Sequence, residues 1–444
     1  MSLWLDSNMV KKGDIFLVNE KNKKYVDSAI NNGASLIVTE TKDDFLIKTE
    51  HVKSIYEYIK NYYYDDIKDI SLIGITGTNG KTTTCYLIYQ MLNYIGIKTA
   101  YIGTIGFYIN NTVIPLNNTT PSIDILYNLL SISKENNCKV VVMEVSSHAL
   151  KQDRIYGLLF DAIGVTNISM DHLDYHKTMK DYISCKIKLT KKLRNKNVCI
   201  LNKKDKYYKR FKNHKNNNYI IGKDIKIKKI KMNLENTFLT FKDDKKYKVK
   251  LSLVGKFNMF NYLMAYKIIK ELGYSTNELI RNSNDFKEPI GRMQKINYKD
   301  NAIFIDYAHT PDAVIKVLRT VKKNKNKGII TVIGCGGNRD KEKRPLMGKA
   351  ACKNSSYVIF TNDNPRNEDE KLIMKDILKG AKEKYEVIYD RYDAIKKGIS
   401  LLNGKKILMI LGKGHEDYQI VGDKKLPFSD IDVVTKIINK KTSY

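Results

Sequence analysis

The stretch "SLIGITGTNGKTTTCYLIYQML", residues 71–92, restricts the fold of this chain more than any other. Ser71 to Thr76 is an apolar run of strand length. It ends in Gly77-Thr78-Asn79-Gly80, after which Lys81 and Thr82 open a helix-forming run. A strand that turns through glycines into a helix can wrap backbone N–H groups around phosphate oxygens. The lysine then reaches the outer phosphates, and the threonine hydroxyl is placed for Mg²⁺. The general pattern puts a glycine five residues before Gly80, where Ile75 stands here, so the loop is a GTNGKT variant. Gly77, Thr78, Asn79, Gly80, Lys81, Thr82 and Thr83 are the expected phosphate-side contacts. Such a loop belongs to a mostly parallel α/β sheet with ligands at the strand carboxyl ends.

The rest of the chain repeats that grammar. "VVVMEV", "AIGVTN", "AIFIDY", "IITVIG", "YVIFTN" and "ILMILG" read as buried strands separated by helical stretches. With 444 residues, several domains are expected. The divisions fall at 1–70, a small α/β unit; 71–287, a phosphate-loop domain with a mostly parallel sheet; and 288–444, a Rossmann-like domain. Lys203 to Asn218 is expected to be an exposed insertion, and the alternating stretch from "KIKMNLENTFLTF" to "KYKVKLSLV" a hairpin.

Basic residues number 78 against 48 acidic ones, a net +30. No aromatic-interleaved basic stripe accompanies that excess, so it reads as compositional bias, and no nucleic-acid partner is expected. The six cysteines form no CxxC pair, which argues against structural zinc and a disulfide scaffold. The start "MSLWLDSNMVKKGD" has no signal-peptide character, and no apolar run reaches membrane-spanning length. A cytoplasmic protein with no membrane partner is expected.

Two further strand ends carry chemistry. "VVVMEVSSH" brings Glu144 to the rim beside the phosphate loop, where Mg²⁺ needs an acid, with Ser146, Ser147 and His148 following. Ser147 could equally be a helix cap. "TNDNPRNEDE" places Asp363, Asn364 and Arg366 on a loop stiffened by Pro365. Its guanidinium either recognises a carboxylate or is one more surface cation offset by Glu368, Asp369 and Glu370.

"GTNGKTT", "NNTTPS", "EVSSHALKQDR", "NISMDHLDYHKTM", "GRMQ", "DYAHTPDA", "GCGGNRDKEKRPLMG", "DNPR" and "GKGHEDYQ" follow one another in the order seen in the Mur ligases. The chain therefore resembles that family over nearly its whole length, most of all the members that extend UDP-muramoyl-dipeptide with a diamino acid. The resemblance implies three domains, ATP, Mg²⁺ at two sites and an acyl-phosphate reaction. It implies small-molecule substrates and a monomer. It assigns Lys81, Glu144, Lys186 and Arg292 to catalysis, and Asn258 and Asp306 to the adenine and ribose sides of the nucleotide. Lys186 aligns with the lysine that this family carbamylates with CO₂. With Thr82, Glu144 and His172 it makes the implied metal set, while His176 is left as a packed neighbour. Ser7 resembles the uridine-side serine, in a motif that here reads Asp6-Ser7-Asn8. Asn118, Thr119, Thr120, Ser146, Gln152 and Arg154 match the residues that hold the muramoyl-dipeptide. Arg339, Asp363, Asn364, Arg366, Gly412 and Glu416 match the amino-acid site, in the form that takes meso-diaminopimelate.

Other readings stay open at this point. They are the same ligase acting on lysine or lanthionine, a folylpolyglutamate-synthase-like ligase, a basic nucleic-acid-dependent ATPase, and a non-catalytic relative.

Overall fold

A computed structural model describes residues 1–322, 328–382 and 384–442. The first strands, Leu3–Trp4, Ile15–Val18, Leu36–Thr39 and Thr49–His51, form a four-stranded parallel sheet. All of "IFLV" at Ile15–Val18 is buried, as a strand covered on both faces requires. Phe16, Val18 and Ile37 pack with Val26 and Ala29 of the helix Val26–Asn31. Ile15, Leu17 and Val38 turn the other way, into a cluster with Ile55, Ile59 and Leu126. The N-terminal sheet is thereby fused to the helix Ile123–Glu135.

The central sheet has eight strands, in the order Asn217–Ile221, Leu193–Asn202, Phe160–Val165, Ser71–Thr76, Val140–Glu144, Thr99–Gly103, Gly106–Ile109, Thr112–Ile114. Ser71–Thr76 lies inside it, with parallel partners on both sides. That position sets the site: the neighbouring strand ends deliver Glu144 on one flank and Thr166 on the other.

Two expectations are corrected here. The stretch Lys203 to Asn218 is not a free insertion. Phe211 within it is fully buried, and its end runs into the parallel edge strand Asn217–Ile221. Its few apolar residues stand alone among lysines and asparagines, so they make no period that would reveal them. The expected hairpin is a three-stranded antiparallel sheet, Lys226–Met232, Thr237–Lys242 and Lys246–Leu251. It packs Leu239, Phe241 and Val249 against the helix Lys256–Glu271.

The last sheet has six strands, in the order Gln294–Tyr298, Asn301–Asp306, Ile407–Leu411, Ile329–Ile333, Tyr357–Phe360, Tyr385–Val387. Its first pair is antiparallel and the others are parallel. The four apolar central strands are covered on both faces by helices, with clusters around Phe304 and Met409 on one side and Ile303 and Leu408 on the other. Their carboxyl ends bring Asp306, Gly334, Asp363 and Gly412 to one rim. Beneath it the fully buried Arg391 donates to both oxygens of Asp430, at 2.8 and 2.8 Å.

Candidate active site

The phosphate loop is drawn tight by the segment that follows the neighbouring strand. Thr166 Oγ1 and Asn167 Nδ2 both donate to the Asn79 carbonyl, at 2.7 and 2.7 Å, and Thr78 N–H donates to Asn167 O at 2.7 Å. Gly77 and Gly80 have φ of 143° and 90°. A Cβ on Gly77 would overlap Thr166 Oγ1, and one on Gly80 would stand 2.6 Å from Asn261 Oδ1. Only glycine satisfies both the backbone and the space there. Lys81, at the helix start, folds its ammonium back onto the carbonyls of Gly77 and Thr78, at 3.0 and 2.9 Å. Burial lowers its pKa, against the pull of Glu144 and Asp171. An incoming phosphate would give that cation the anion it lacks.

Glu144 is wholly buried and fully hydrogen-bonded. Tyr101 OH and Thr104 N–H donate to Oε1 at 2.7 and 2.8 Å, and Thr82 Oγ1 donates to Oε2 at 3.0 Å. Arg292 of "GRMQ" reaches the same point, Nη2 to Thr82 Oγ1 at 3.2 Å, while its Nε finds no partner among the described atoms. Its guanidinium lies over Tyr307, 4.4 Å from the ring centroid. Behind the loop opens a cleft of about 720 Å³ lined by Gly80, Thr83, Asn258, Asn261, Arg292 and Asp306, among others. Asp306 accepts Met293 N–H at 2.7 Å, and burial pushes its pKa up to about 6 although Arg292 opposes this. Asn258 is tied to Val254 O and to the Asn261 side chain, at 3.0 and 3.1 Å. Asn261, which faces the loop at Gly80, escapes a motif search because a single asparagine inside a largely buried helix carries no local signal.

Lys186 lies on the helix Met179–Ile187 with 1% exposure. Its Nζ donates to Gly77 O at 2.9 Å and lies over the Tyr182 ring. Burial, then the nearby Lys81, holds its pKa well below the usual lysine value, so the amine is biased toward its neutral, nucleophilic form. His172 adopts a left-handed backbone at φ 54°, and its Nε2 faces Asp171 Oδ2 at 3.4 Å. Burial drops its pKa to about 3. Asp171 was not singled out from the sequence. It is buried, which favours its neutral form, yet His172, His309, Lys343 and Lys81 outweigh that and hold its pKa at about 2. His176 is buried with Nδ1 3.4 Å from Asp181 Oδ2, and its ring packs on His148 and Tyr182.

A second set of expected residues gathers on the other side of Glu144. Thr120 Oγ1 donates to Glu144 O at 2.8 Å and accepts Ser146 N–H at 3.0 Å. Arg154 donates to Thr120 O at 2.7 Å and to Gln152 Oε1 at 2.9 Å. Thr119 meets Thr104 at 3.0 Å, and Asn118 is exposed beside it. The helix cap is Ser146, whose Oγ accepts Ala149 N–H at 3.1 Å, not Ser147. Ser7 is buried in the first short turn of the chain. Leu5 N–H, just before it, donates to Asp124 Oδ2 at 2.9 Å, four residues after Thr120.

The third cluster sits on the last sheet. Asn364 is almost fully buried, donating to Glu416 Oε2 at 2.9 Å and accepting Lys413 Nζ at 3.1 Å. Burial raises the Glu416 pKa, and Asp363 adds to it. Gly412 lets Asp363 approach: a Cβ there would stand 2.6 Å from Asp363 Oδ2. Arg366 is half-buried with φ 55°, its Nη1 donating only to the carbonyls of Gly337 and Asn364, at 3.0 and 3.2 Å. Burial and then the exposed Arg339 lower its pKa: two cations share this opening. Glu368 does not offset Arg366. It takes two bonds from the buried Arg344, at 2.8 and 2.7 Å, and one from Asn338 N–H at 2.8 Å. Glu368 thus ties the Gly336–Asn338 turn to the Asn364–Arg366 turn, which touch so closely that a Cβ on Gly337 would overlap Pro365 O.

Residues 75–269 match the Mur ligase middle domain, and residues 291–414 match the Mur ligase glutamate ligase domain. The chain is 40% identical over 452 residues to a UDP-N-acetylmuramoyl-L-alanyl-D-glutamate–2,6-diaminopimelate ligase of Aquifex aeolicus (strain VF5), covering 98% of this chain and 92% of the relative. It is 38% identical over 462 residues to the ligase of the same name from Rickettsia rickettsii, covering 98% and 95%. A solved structure under that name aligns with TM-score 0.67 and 30% identity, over 99% of this chain and 95% of the other. MurF ligase from Thermotoga maritima in complex with ADP aligns over 100% and 98%, with TM-score 0.72 and 18% identity, a likeness of fold alone.

Proposed function

The chain belongs to the Mur ligase family, and from that premise we propose that it is the ATP-dependent ligase joining 2,6-diaminopimelate to the D-glutamyl γ-carboxylate of UDP-N-acetylmuramoyl-L-Ala-D-Glu. One observation carries this reading further than the others. Tyr307 has its ring against Arg292 and its hydroxyl 3.4 Å from Glu416 Oε1, so a single residue joins the phosphate loop to the Arg366 cluster. An enzyme that activates a carboxylate on ATP and then offers it to an amine needs those two sites side by side.

A carboxylate is a poor acylating agent until phosphorylation turns one of its oxygens into a leaving group. The γ-carboxylate attacks the γ-phosphate of ATP, the amine attacks the resulting acyl phosphate, and ADP and phosphate leave. Two anions meet in the first step, and Lys81 and Arg292 are placed to neutralise them. Thr120, Ser146, Gln152 and Arg154 supply donors and a cation for the dipeptide. Glu416 suits the distal ammonium, and Arg366 with Arg339 the carboxylates of the incoming amino acid.

Among the described residues no three His, Cys, Asp or Glu side chains gather as a metal centre. Thr82 and Glu144 nevertheless fit Mg²⁺: one carboxylate and one hydroxyl, 3.0 Å apart, leave the remaining positions to phosphate oxygens and water. The ion would polarise the transferred phosphoryl group. Lys186, whose burial favours the neutral amine, is suited to add CO₂ and release a proton, and the carbamate with His172 would hold a second ion. No helix among the described residues is long and apolar enough to cross a membrane. We read the protein as a cytoplasmic monomer.

The test is to incubate the protein with ATP, Mg²⁺, UDP-muramoyl-dipeptide and single amino acids, and to weigh the products. A tripeptide mass with meso-diaminopimelate is expected. Phosphate release without a new amide bond overturns the proposal.

A further inference from the structure

The three-stranded sheet Lys226–Met232, Thr237–Lys242, Lys246–Leu251 has two unlike faces. The inner face is apolar, with Ile230–Leu239–Val249 and Ile227–Phe241–Tyr247 as cross-strand rows. The outer face is built of three other rows. Two are Lys231–Phe238–Lys250 and Lys229–Thr240–Lys248, and the third, Lys226–Lys242–Lys246, is entirely lysine. All seven lysines and Phe238 are exposed, and no acidic side chain stands in any of the three rows.

Like charges directly opposite one another destabilise a sheet. A surface needing only solubility would mix signs, and elsewhere this chain does so: Lys60 pairs with Glu57, Lys316 with Asp312 and Lys379 with Asp376. None of the seven outer-face lysines takes part in an ion pair among the described residues. The nearby acids are engaged elsewhere: Asp243 and Asp244 at the second turn hold Lys267 and Lys270, and Glu235 at the first holds Lys295. The face is thus an uncompensated array of ammonium groups with one aromatic ring at its edge row.

We propose that this outer sheet face docks on an anionic lipid surface, with the lysines on the headgroup phosphates and Phe238 entering the interface. The cleft behind the phosphate loop is lined by none of these eight side chains. Single-stranded nucleic-acid sites combine a basic groove with several aromatic platforms for successive bases. Here there is no groove and only one ring. An open array asks for an extended anionic plane, and lysines at such a plane contribute about 1 kcal/mol each. Lying on a bilayer is a different physical state from spanning one. It differs from the sequence expectation of no membrane partner, because strand register, invisible in composition, puts the lysines on one side. The inference is independent of the ligase reading.

The test is sedimentation of the full chain with phosphatidylglycerol-containing vesicles and with pure phosphatidylcholine vesicles, over a salt series. A single-stranded RNA oligonucleotide is titrated in parallel. Binding to the anionic vesicles alone, weakened by salt, is expected. The variant Lys229→Glu/Lys231→Glu/Lys248→Glu/Lys250→Glu should lose it by at least ~100-fold, from about 1 kcal/mol per lysine. Phe238→Ala should weaken it less, and ligase turnover in solution should not change in either. A control with the same charge change on the N-terminal unit, Lys11→Glu/Lys12→Glu/Lys42→Glu/Lys48→Glu, should bind nearly as the parent does. Absence of vesicle binding, equal loss in the control, or tighter binding to the oligonucleotide overturns the proposal.

Discussion

Arg292 Nη2 donates to Thr82 Oγ1 at 3.2 Å, joining two positions 210 residues apart in the chain. The guanidinium therefore stands beside the first hydroxyl of the helix that follows the Gly77–Gly80 loop, where the proposed reaction would bring the transferred phosphate. Arg292→Ala is expected to lower kcat by roughly 10²–10³, the usual cost of one donor at developing charge. Arg292→Lys should recover only part of this, because a point charge does not replace a planar fork. Phosphate release with saturating substrates measures both, and a kcat within twofold of the parent would remove Arg292 from the reaction.

Lys81→Ala should reduce turnover to background. Its ammonium has only the Gly77 and Thr78 carbonyls as partners, so its removal opens no ion pair. The melting temperature should hold, which separates loss of chemistry from loss of fold.

Lys186→Ala should be nearly inactive and regain activity with short carboxylates, which can stand in for carbamate oxygens. Stability supplies an independent readout. Burial lowers the Lys186 pKa in the folded chain, so the unfolded chain binds that proton more tightly. Folding is then opposed by a penalty that is complete below the lowered pKa and fades as pH rises to the unfolded value of 10.5. In CO₂-free buffer Lys186→Met should melt higher than the parent at pH 7, and the gain should shrink as pH rises toward 10.5. A variant that melts lower at pH 7 would contradict the buried neutral amine.

Arg366 and Arg339 share one opening, and in the proposed function a ligand carboxylate would relieve both. The parent should prefer meso-diaminopimelate to L-lysine strongly, and Arg366→Ala should erase most of that preference. Leaving a desolvated cation unpaired costs on the order of 2–5 kcal/mol, so the kcat/KM ratio should fall by at least ~30-fold. Equal use of lysine by the parent enzyme would take the selector role from Arg366.

Glu368 tests the scaffold beneath that selector. Arg344 holds its pKa down at about 2, against a usual 4.5. A depressed carboxylate contributes stability that is complete above its unfolded pKa and fades as pH falls toward the folded one, here from about 4.5 to about 2. Glu368→Gln should cost about 1.5–3 kcal/mol at pH 7, the usual worth of hydrogen bonds to a charged group, because Arg344 keeps only Asp376, at 3.1 Å, as a charge partner. Urea denaturation should show that difference narrowing by pH 3. KM for the amino acid should rise while KM for ATP holds.

The two loop clusters were legible in the sequence because their residues are consecutive: GTNGKT after one apolar run, DNPR after another. Glu144 was legible for the same reason, as the last residue of a buried strand. What escaped depends on partners far along the chain. Glu368 lies two residues after Arg366 in sequence yet binds Arg344, 24 residues back. Asp171 is held ionised first by its neighbour His172 and then by His309 and Lys343, which only the meeting of two sheets brings near. Ser146 rather than Ser147 caps its helix because the cap is set by backbone angles that two adjacent serines do not announce. The edge strand at Asn217–Ile221 was hidden by its lysine-rich surroundings.

The overlap that Gly337 avoids with the Pro365 carbonyl has a bearing on how substrate choice can be altered. The turn holding Arg339 and the turn holding Arg366 meet at that glycine and are tied again by Glu368, so neither can be reshaped without moving the other. Single exchanges along either turn should mostly abolish selection rather than redirect it. An engineer seeking a ligase for a different amino acid should transplant both turns, with Arg344 and Glu368, as one cassette.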